Sequence, residues 1–228
     1  MLRALIFDFD GVLVDSEPLI FKLTRQMALQ EGWTLSHEQY FRDYLALDDR
    51  GIIEHLYETH GRPLDLARRD ELIQWKFHAY AEAIRDGLPA VPGAVEFVTN
   101  VAGQYPLAIA SGSLRSEVEH LLVKIGLRDR FLLLVTAEDT DRCKPDPQIF
   151  VKAVAGLNRL PIFREQPLLA SQCLAIEDAP AGVRAAQGAG MKCLAISHSR
   201  PPAELGHADF TVREFSEVHL DKIQAAFD

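Results

Sequence analysis

The sequence predicts an α/β protein in which a parallel sheet, covered on both faces by helices, is interrupted after its first strand by a helical insertion. Three observations carry this. Beyond Gly93, short apolar runs of strand length alternate with longer segments of helical period, the pattern of repeated strand–helix–strand units. From Leu19 to about Asp86 the helical period dominates and no strand pattern stands out. At the amino terminus Ala4 to Phe7 is apolar without interruption, as in a strand buried on both faces, and so belongs with the later strands.

Each element has a local reason. Asp15-Ser16-Glu17-Pro18 supplies a polar cap and a first-turn proline for a helix that carries Leu19, Leu23 and Met27 on one face and stops at Gly32. Ser36-His37-Glu38-Gln39 is a capping box for a second helix. Gly51 to His60, closed by Gly61, and Leu64 to Arg85 give two more. Leu88-Pro89-Ala90-Val91-Pro92-Gly93 then reads as the return hinge. The strand runs are Leu107 to Ala110, Leu132 to Thr136, Cys173 to Ile176 and Cys193 to Ile196. Between them lie helices near Leu114 to Ile125, Pro147 to Leu157 and Ala179 to Ala189.

With 228 residues, 48% hydrophobic and 25% charged, the chain can bury a substantial core as one domain with a large insertion or as two small domains. Its net charge of −9 argues against nucleic-acid or anionic-membrane partners, which favour a basic face. The start MLRALIFDFDG contains neither a long apolar stretch nor a small-residue cleavage site, so no signal peptide or membrane span is expected and the expected location is the cytoplasm. A monomer is the expected state. Cys143, Cys173 and Cys193 are odd in number and widely spaced, which suits buried or incidental thiols better than a disulfide framework or zinc site. The eight histidines are scattered without metal-ligand spacing on a helix face.

The chemistry-bearing residues fall at strand ends. Asp8 and Asp10 follow the first apolar run and precede Gly11, at the carboxyl end of a strand, where open parallel sheets place ligand sites. Residues i and i+2 of an extended chain point the same way. Two carboxylates about 5 Å apart repel by roughly 3 kcal/mol at an effective dielectric near 20, so a cation or a shared proton is expected. A turn in which the aspartates cap backbone amides is the alternative. Ser111-Gly112-Ser113 follows the second strand and opens a helix, an arrangement suited to phosphate, although either serine can simply cap. Lys144 stands on a segment stiffened by Pro145 and Pro147, where it can neutralise a phosphate or merely be solvated. Glu177 and Asp178 end the fourth strand and bring the convergent carboxylates to four, a donor set suited to Mg²⁺.

On these four motifs in order, Asp8-Phe9-Asp10-Gly11-Val12, Ser111, Lys144-Pro145 and Glu177-Asp178, the chain resembles the haloacid dehalogenase superfamily over nearly its whole length. The branch is the one that includes beta-phosphoglucomutase and many sugar-phosphate phosphatases. The resemblance implies a Rossmann-like, doubly wound core from residues 1–15 and 88–228, with a helical cap at 16–87. It makes Asp8 the nucleophile that forms an aspartyl-phosphate and Asp10 the general acid and base. Asp8, the Asp10 main-chain carbonyl and Asp178 would hold Mg²⁺, with Glu177 beside them. Ser111, nearby amides including that of Gly112, and Lys144 would cradle the phosphoryl group.

The same resemblance separates the branches. Asp10 speaks against dehalogenation, and the lack of lysine between Gln39 and Gly61 speaks against phosphonate cleavage. Beta-phosphoglucomutase carries a histidine where Ile20 stands and a lysine-glycine pair where Ala46-Leu47 stands, whereas Arg50 matches its cap-loop arginine. The expectation is therefore a Mg²⁺-dependent phosphatase of small phosphorylated metabolites, with a sugar-phosphate mutase as the alternative. A signalling phosphoacceptor or binding module is the third reading, and the large cap and Asp10 argue against it. Arg50 is a candidate substrate contact, or else a solvated side chain on a helix that Asp48 or Asp49 caps.

Overall fold

Every side chain of β1 (Ala4–Phe7) is buried, as an apolar strand at the centre of a two-sided sheet requires. The computed structural model describes residues 1–45 and 47–227. After β1 come α1 (Glu17–Gln30), α2 (His37–Gln39), α3 (Asp49–Thr59) and α4 (Leu66–Ala83). The remainder is α5 (Ala94–Ala102), β2 (Leu107–Ala110), α6 (Arg115–Lys124), β3 (Leu133–Val135), α7 (Gln148–Leu157), β4 (Cys173–Glu177), α8 (Pro180–Gly188), β5 (Lys192–Ile196), β6 (Phe210–Val212) and α9 (Leu220–Ala225). The chain divides into two compact units, Met1–Asp15 with Gly87–Asp228, and Ser16–Asp86.

In the first unit the described residues form a six-stranded sheet of order β3-β2-β1-β4-β5-β6, parallel throughout. This is a Rossmann-like α/β core. Winding proceeds outward from β1 to β3, then returns to the other side of β1 with β4, so the order reverses between β1 and β4. Ligand sites of open α/β sheets lie at the carboxyl ends of strands flanking such a reversal. Small residues let helices approach closely: Ala4, Ala108, Ala110, Ala175 and Ala195 pack with Ile149, Phe150 and Val183 in one apolar cluster.

Three elements lie outside the strand and helix expectations: α5, β6 and the six-residue α9. Helix α5 buries Ala94, Phe97, Val98 and Val101, a regular helical stripe directly after the return hinge. Strand β6 has only three residues at the sheet edge, too few for an alternation to register.

The second unit is helical among its described residues. Its apolar cluster is built from Met27, Tyr40, Ile52, Ile53, Leu56 and Leu72. The capping box at Ser36 forms as expected: Gln39 N donates to Ser36 Oγ at 3.2 Å, and Ser36 N donates to Gln39 Oε1 at 3.0 Å. Asp48 caps α3 by accepting from Gly51 N at 2.8 Å, which starts that helix two residues before Gly51. No described helix is long and apolar enough to cross a membrane.

Glu31 ties this unit together although its side chain is only 5% exposed. Burial alone would raise its pKa, but bonds from Tyr57 and Arg68, with the charges of Arg68 and Arg62, outweigh burial and hold it below 4.5. A depressed folded-state pKa gives stability that is present above the unfolded value and lost as pH falls through the folded one. Glu31→Gln is therefore expected to lower unfolding stability at pH 7 by about 1.5–3 kcal/mol, the range for hydrogen bonds to charged groups. In urea titrations the difference from wild type should shrink as pH falls below 4.5. A difference independent of pH would assign the effect to packing.

Candidate active site

The carboxyl ends of β1, β2 and β4 are neighbours, so the residues just beyond them share one edge of the sheet. Asp8 N donates to Ile176 O at 2.8 Å, which extends the ladder one step and sets Asp8 beside the end of β4. Glu177 is the last residue of β4 and is 0% exposed; Asp178 follows at 7%.

Two glycines make the space these acids occupy. A Cβ at Gly182, in the first turn of α8, would lie 2.0 Å from the Glu177 carboxyl group. A Cβ at Gly11 would lie 2.1 Å from Asp178 Oδ2, and Gly11 has φ +72°, in the left-handed region where glycine is favoured.

Lys144 joins the acids. Its Nζ is 2.7 Å from Asp8 Oδ1 and 2.6 Å from Glu177 Oε1, and it sits 5.2 Å from the centre of the Phe150 ring. The segment carrying it is held by Asp146, which accepts from Gln148 N at 2.9 Å and pairs with Arg142 at 3.1 Å. Burial opposes the lysine's charge, but Asp8 and Glu177 outweigh it and hold the ammonium above its ordinary range.

Asp8, Glu177 and Asp178 each present one carboxylate oxygen, all within 4.8 Å of one another. One ammonium thus faces three crowded carboxyl groups in a nearly dry site. Burial and then the Asp8 charge push Glu177 up to about 7, and the same causes raise Asp178 well above the carboxylate range. Ser199 Oγ donates to Asp178 Oδ2 at 3.4 Å, and the Arg200 charge partly opposes the rise at Asp178. An all-oxygen set of three converging carboxyl groups fits a hard divalent cation.

Asp10 has a different environment. Its Oδ2 accepts from Ser113 Oγ at 2.5 Å, so the four acids of the sequence reading divide into a cluster of three and one carboxylate engaged by a hydroxyl. Ser111 is 1% exposed, and its Oγ accepts from Ser113 N at 3.0 Å, which leaves its own hydrogen available to donate. Gly112 is exposed, and a Cβ there would meet nothing within 4 Å, so no close approach demands glycine. Arg50 lies in the first turn of α3, with a side chain 61% exposed and Nε 3.6 Å from Glu54 Oε1. Ala46 lies outside the described residues.

The sequence offers Ser113 as part of the phosphate-suited Ser111-Gly112-Ser113 segment or as a helix cap, and offers no role for Gly182 or Ser199. The repeated serine of Ser111-Gly112-Ser113 was a visible signal; for Gly182 and Ser199 the sequence holds none.

A parallel α/β core thus carries an acid cluster, a lysine and a hydroxyl-bearing loop at the carboxyl edge of its sheet. The chain belongs to the haloacid dehalogenase-like hydrolase family, whose model matches residues 5–196. It is 27% identical over 235 residues to validoxylamine A 7'-phosphate phosphatase of Streptomyces hygroscopicus subsp. limoneus, with 98% of this chain and 99% of that protein covered. It is 28% identical over 194 residues to hexitol phosphatase B of Escherichia coli K12, covering 85% and 82% of the two chains. Among solved structures, beta-phosphoglucomutase from Clostridium difficile superposes with a TM-score of 0.80 at 21% identity, over 100% of this chain and 97% of that one; at this identity the likeness is one of fold. The chain is accordingly an enzyme of the phosphoric monoester hydrolase class. Hydrolases of this family generally use Mg²⁺, and the acid cluster suits it.

Proposed function

We propose that the protein is a Mg²⁺-dependent phosphatase of small phosphorylated metabolites, sugar phosphates foremost, that works through an aspartyl-phosphate on Asp8. The observation that carries this reading is the placement of Asp8, bridged through Lys144 to the buried Glu177 at the switch point of the sheet. The named phosphatases among its relatives, acting on a validoxylamine phosphate and on hexitol phosphates by their names, support the substrate class.

Asp8, Glu177 and Asp178 would hold Mg²⁺, with the Asp10 main-chain carbonyl as a further candidate ligand. The ion supplies positive charge beside the phosphoryl oxygens and balances the excess carboxylates. The chain's own residues do the rest. An Asp8 carboxylate oxygen attacks phosphorus as the bond to the leaving oxygen breaks, and Asp10 gives that oxygen its proton. Ser111 Oγ–H and the Lys144 ammonium donate to the phosphoryl oxygens, and the Gly112 amide lies on the same loop. Asp10, now a carboxylate, takes a proton from water; the water oxygen attacks phosphorus, the Asp8–phosphorus bond breaks, and phosphate leaves with both carboxyl groups restored.

The helical unit is the candidate for substrate selection, with Arg50 and its neighbours on the cap loop as contacts. A mutase would have to shield the aspartyl-phosphate from water while a sugar phosphate turns over. At the position of the mutase histidine, Ile20 packs against the apolar cluster of the helical unit and has no proton to exchange, which favours hydrolysis.

The test is inorganic phosphate release from a panel of sugar phosphates, short phosphorylated acids and nucleotides, with Mg²⁺ or with a chelator. The expected result is release that falls by at least about 10²-fold on chelation, since the ion supplies several kcal/mol of transition-state stabilisation, and that returns when Mg²⁺ is restored. Release unaffected by chelation would overturn the metal assignment. Conversion of a sugar 1-phosphate to its 6-phosphate without release would establish the mutase instead.

A further inference from the structure

Asp10 must deliver a proton to one atom of the substrate and recover it from water, so one of its two oxygens has to be held while the other works. The hydrogen bond from Ser113 Oγ to Asp10 Oδ2 does this across 103 positions of sequence. A hydroxyl bonded to Oδ2 fixes the rotation of the carboxyl group and so the direction in which Oδ1 faces.

Ser113 is itself fixed at both ends of its backbone. Its N donates to Ser111 Oγ at 3.0 Å, and its carbonyl accepts from Ala137 N at 3.1 Å. Arg115, two residues on, donates its N–H to Glu138 Oε2 at 3.0 Å and its guanidinium to Asp139 Oδ2 at 2.6 Å. The loop that would bind phosphate through Ser111 is thus also the support for the acid, and it is anchored to the segment after β3. The start of α6 is served without the Ser113 hydroxyl, since Glu117 accepts from Leu114 N at 3.2 Å.

We infer that Ser113 is a positioning residue for Asp10, holding one carboxyl oxygen so that the other is aimed at the leaving group and then at water. The inference rests on the reading of Asp10 as the acid. It has a consequence that a merely structural serine would not have: its loss should be felt in proportion to how much the leaving oxygen needs a proton. An alkoxide needs one; a nitrophenolate does not.

The experiment compares Ser113→Ala with wild type on an alkyl phosphate substrate from the panel and on p-nitrophenyl phosphate, with Ser113→Thr as the variant that retains the hydroxyl. Misplacing a reacting group by about 1 Å can cost 10²-fold, so kcat on the alkyl phosphate is expected to fall by about 10–100-fold in the alanine variant. KM should stay within about 2-fold, and the single-turnover rate of nitrophenolate release from the aryl phosphate within about 3-fold, because uniform binding is untouched and that leaving group departs unaided, before the step in which Asp10 activates water. Threonine should restore the wild-type ratio of the two rates. Equal losses on both substrates, a rise in KM alone, or a threonine ratio like that of alanine would overturn the inference. Asp10→Asn separates it from the underlying reading: if that variant keeps the wild-type alkyl phosphate rate, the acid assignment itself fails, whereas its inactivity beside an unchanged Ser113→Ala ratio refutes only the role of Ser113.

Discussion

Asp8→Asn is expected to abolish phosphate release, by about 10⁴-fold or more, the scale on which loss of a covalent nucleophile acts. The substitution keeps the shape of the side chain and removes the nucleophilic charge. It also takes away one of three carboxylates that crowd within 4.8 Å. Burial and the Asp8 charge are the leading reasons that Glu177 and Asp178 are pushed up, so the amide relieves repulsion as it disables chemistry. Activity should therefore vanish while the thermal midpoint stays or rises. The check is phosphate release measured beside a thermal unfolding curve. A variant that retains a tenth of the wild-type rate would remove Asp8 from the nucleophile's place.

The second large effect is expected at a residue with no functional group. Gly182→Ala places a methyl group 2.0 Å from the carboxyl carbon of Glu177, which is fully buried. The carboxyl group must move, and with it Lys144 and Asp8, since the lysine bonds both. In an exposed helix the same change would gain up to about 1 kcal/mol of propensity. Here overpacking is expected to cost about 1–3 kcal/mol and kcat to fall by about 10²-fold through misplaced groups. Gly103→Ala is the control: a Cβ there meets nothing within 4 Å, and its φ of −77° suits alanine. That variant should stay within about 0.5 kcal/mol of wild type. Equal stability and rate for Gly182→Ala and Gly103→Ala would show that Glu177 does not depend on the space above α8.

The fold was legible where burial and chain direction act through neighbouring residues. Ala4–Phe7 and Leu107–Ala110 form strands at the expected residues because an unbroken apolar run in a two-sided sheet ends where the polar residue begins. The same logic put Asp8, Ser111 and Glu177 at one sheet edge. Helix α5 was hidden by the proline and glycine punctuation just before it, and β6 by its length.

The candidate site was legible as residue types but not as geometry. The i, i+2 spacing places Asp8 and Asp10 near one another, but which groups they meet, Lys144 for Asp8 and Ser113 for Asp10, is decided by segments distant in the chain. The room for Glu177 above Gly182 comes from the packing of α8 against β4, and the Ser199–Asp178 bond from the loop after β5. Neither leaves a mark in local sequence, because each depends on where two distant segments meet.

The proposed reaction turns on a phosphoryl group carried by Asp8. The most direct measurement is acid quenching during turnover of the best substrate in the presence of Mg²⁺, followed by mass spectrometry of the peptides. A phosphoryl adduct is expected on the peptide containing Asp8 in wild type and none in Asp8→Asn. Steady phosphate release from wild type with that peptide unmodified, or with the adduct on another residue, would contradict it.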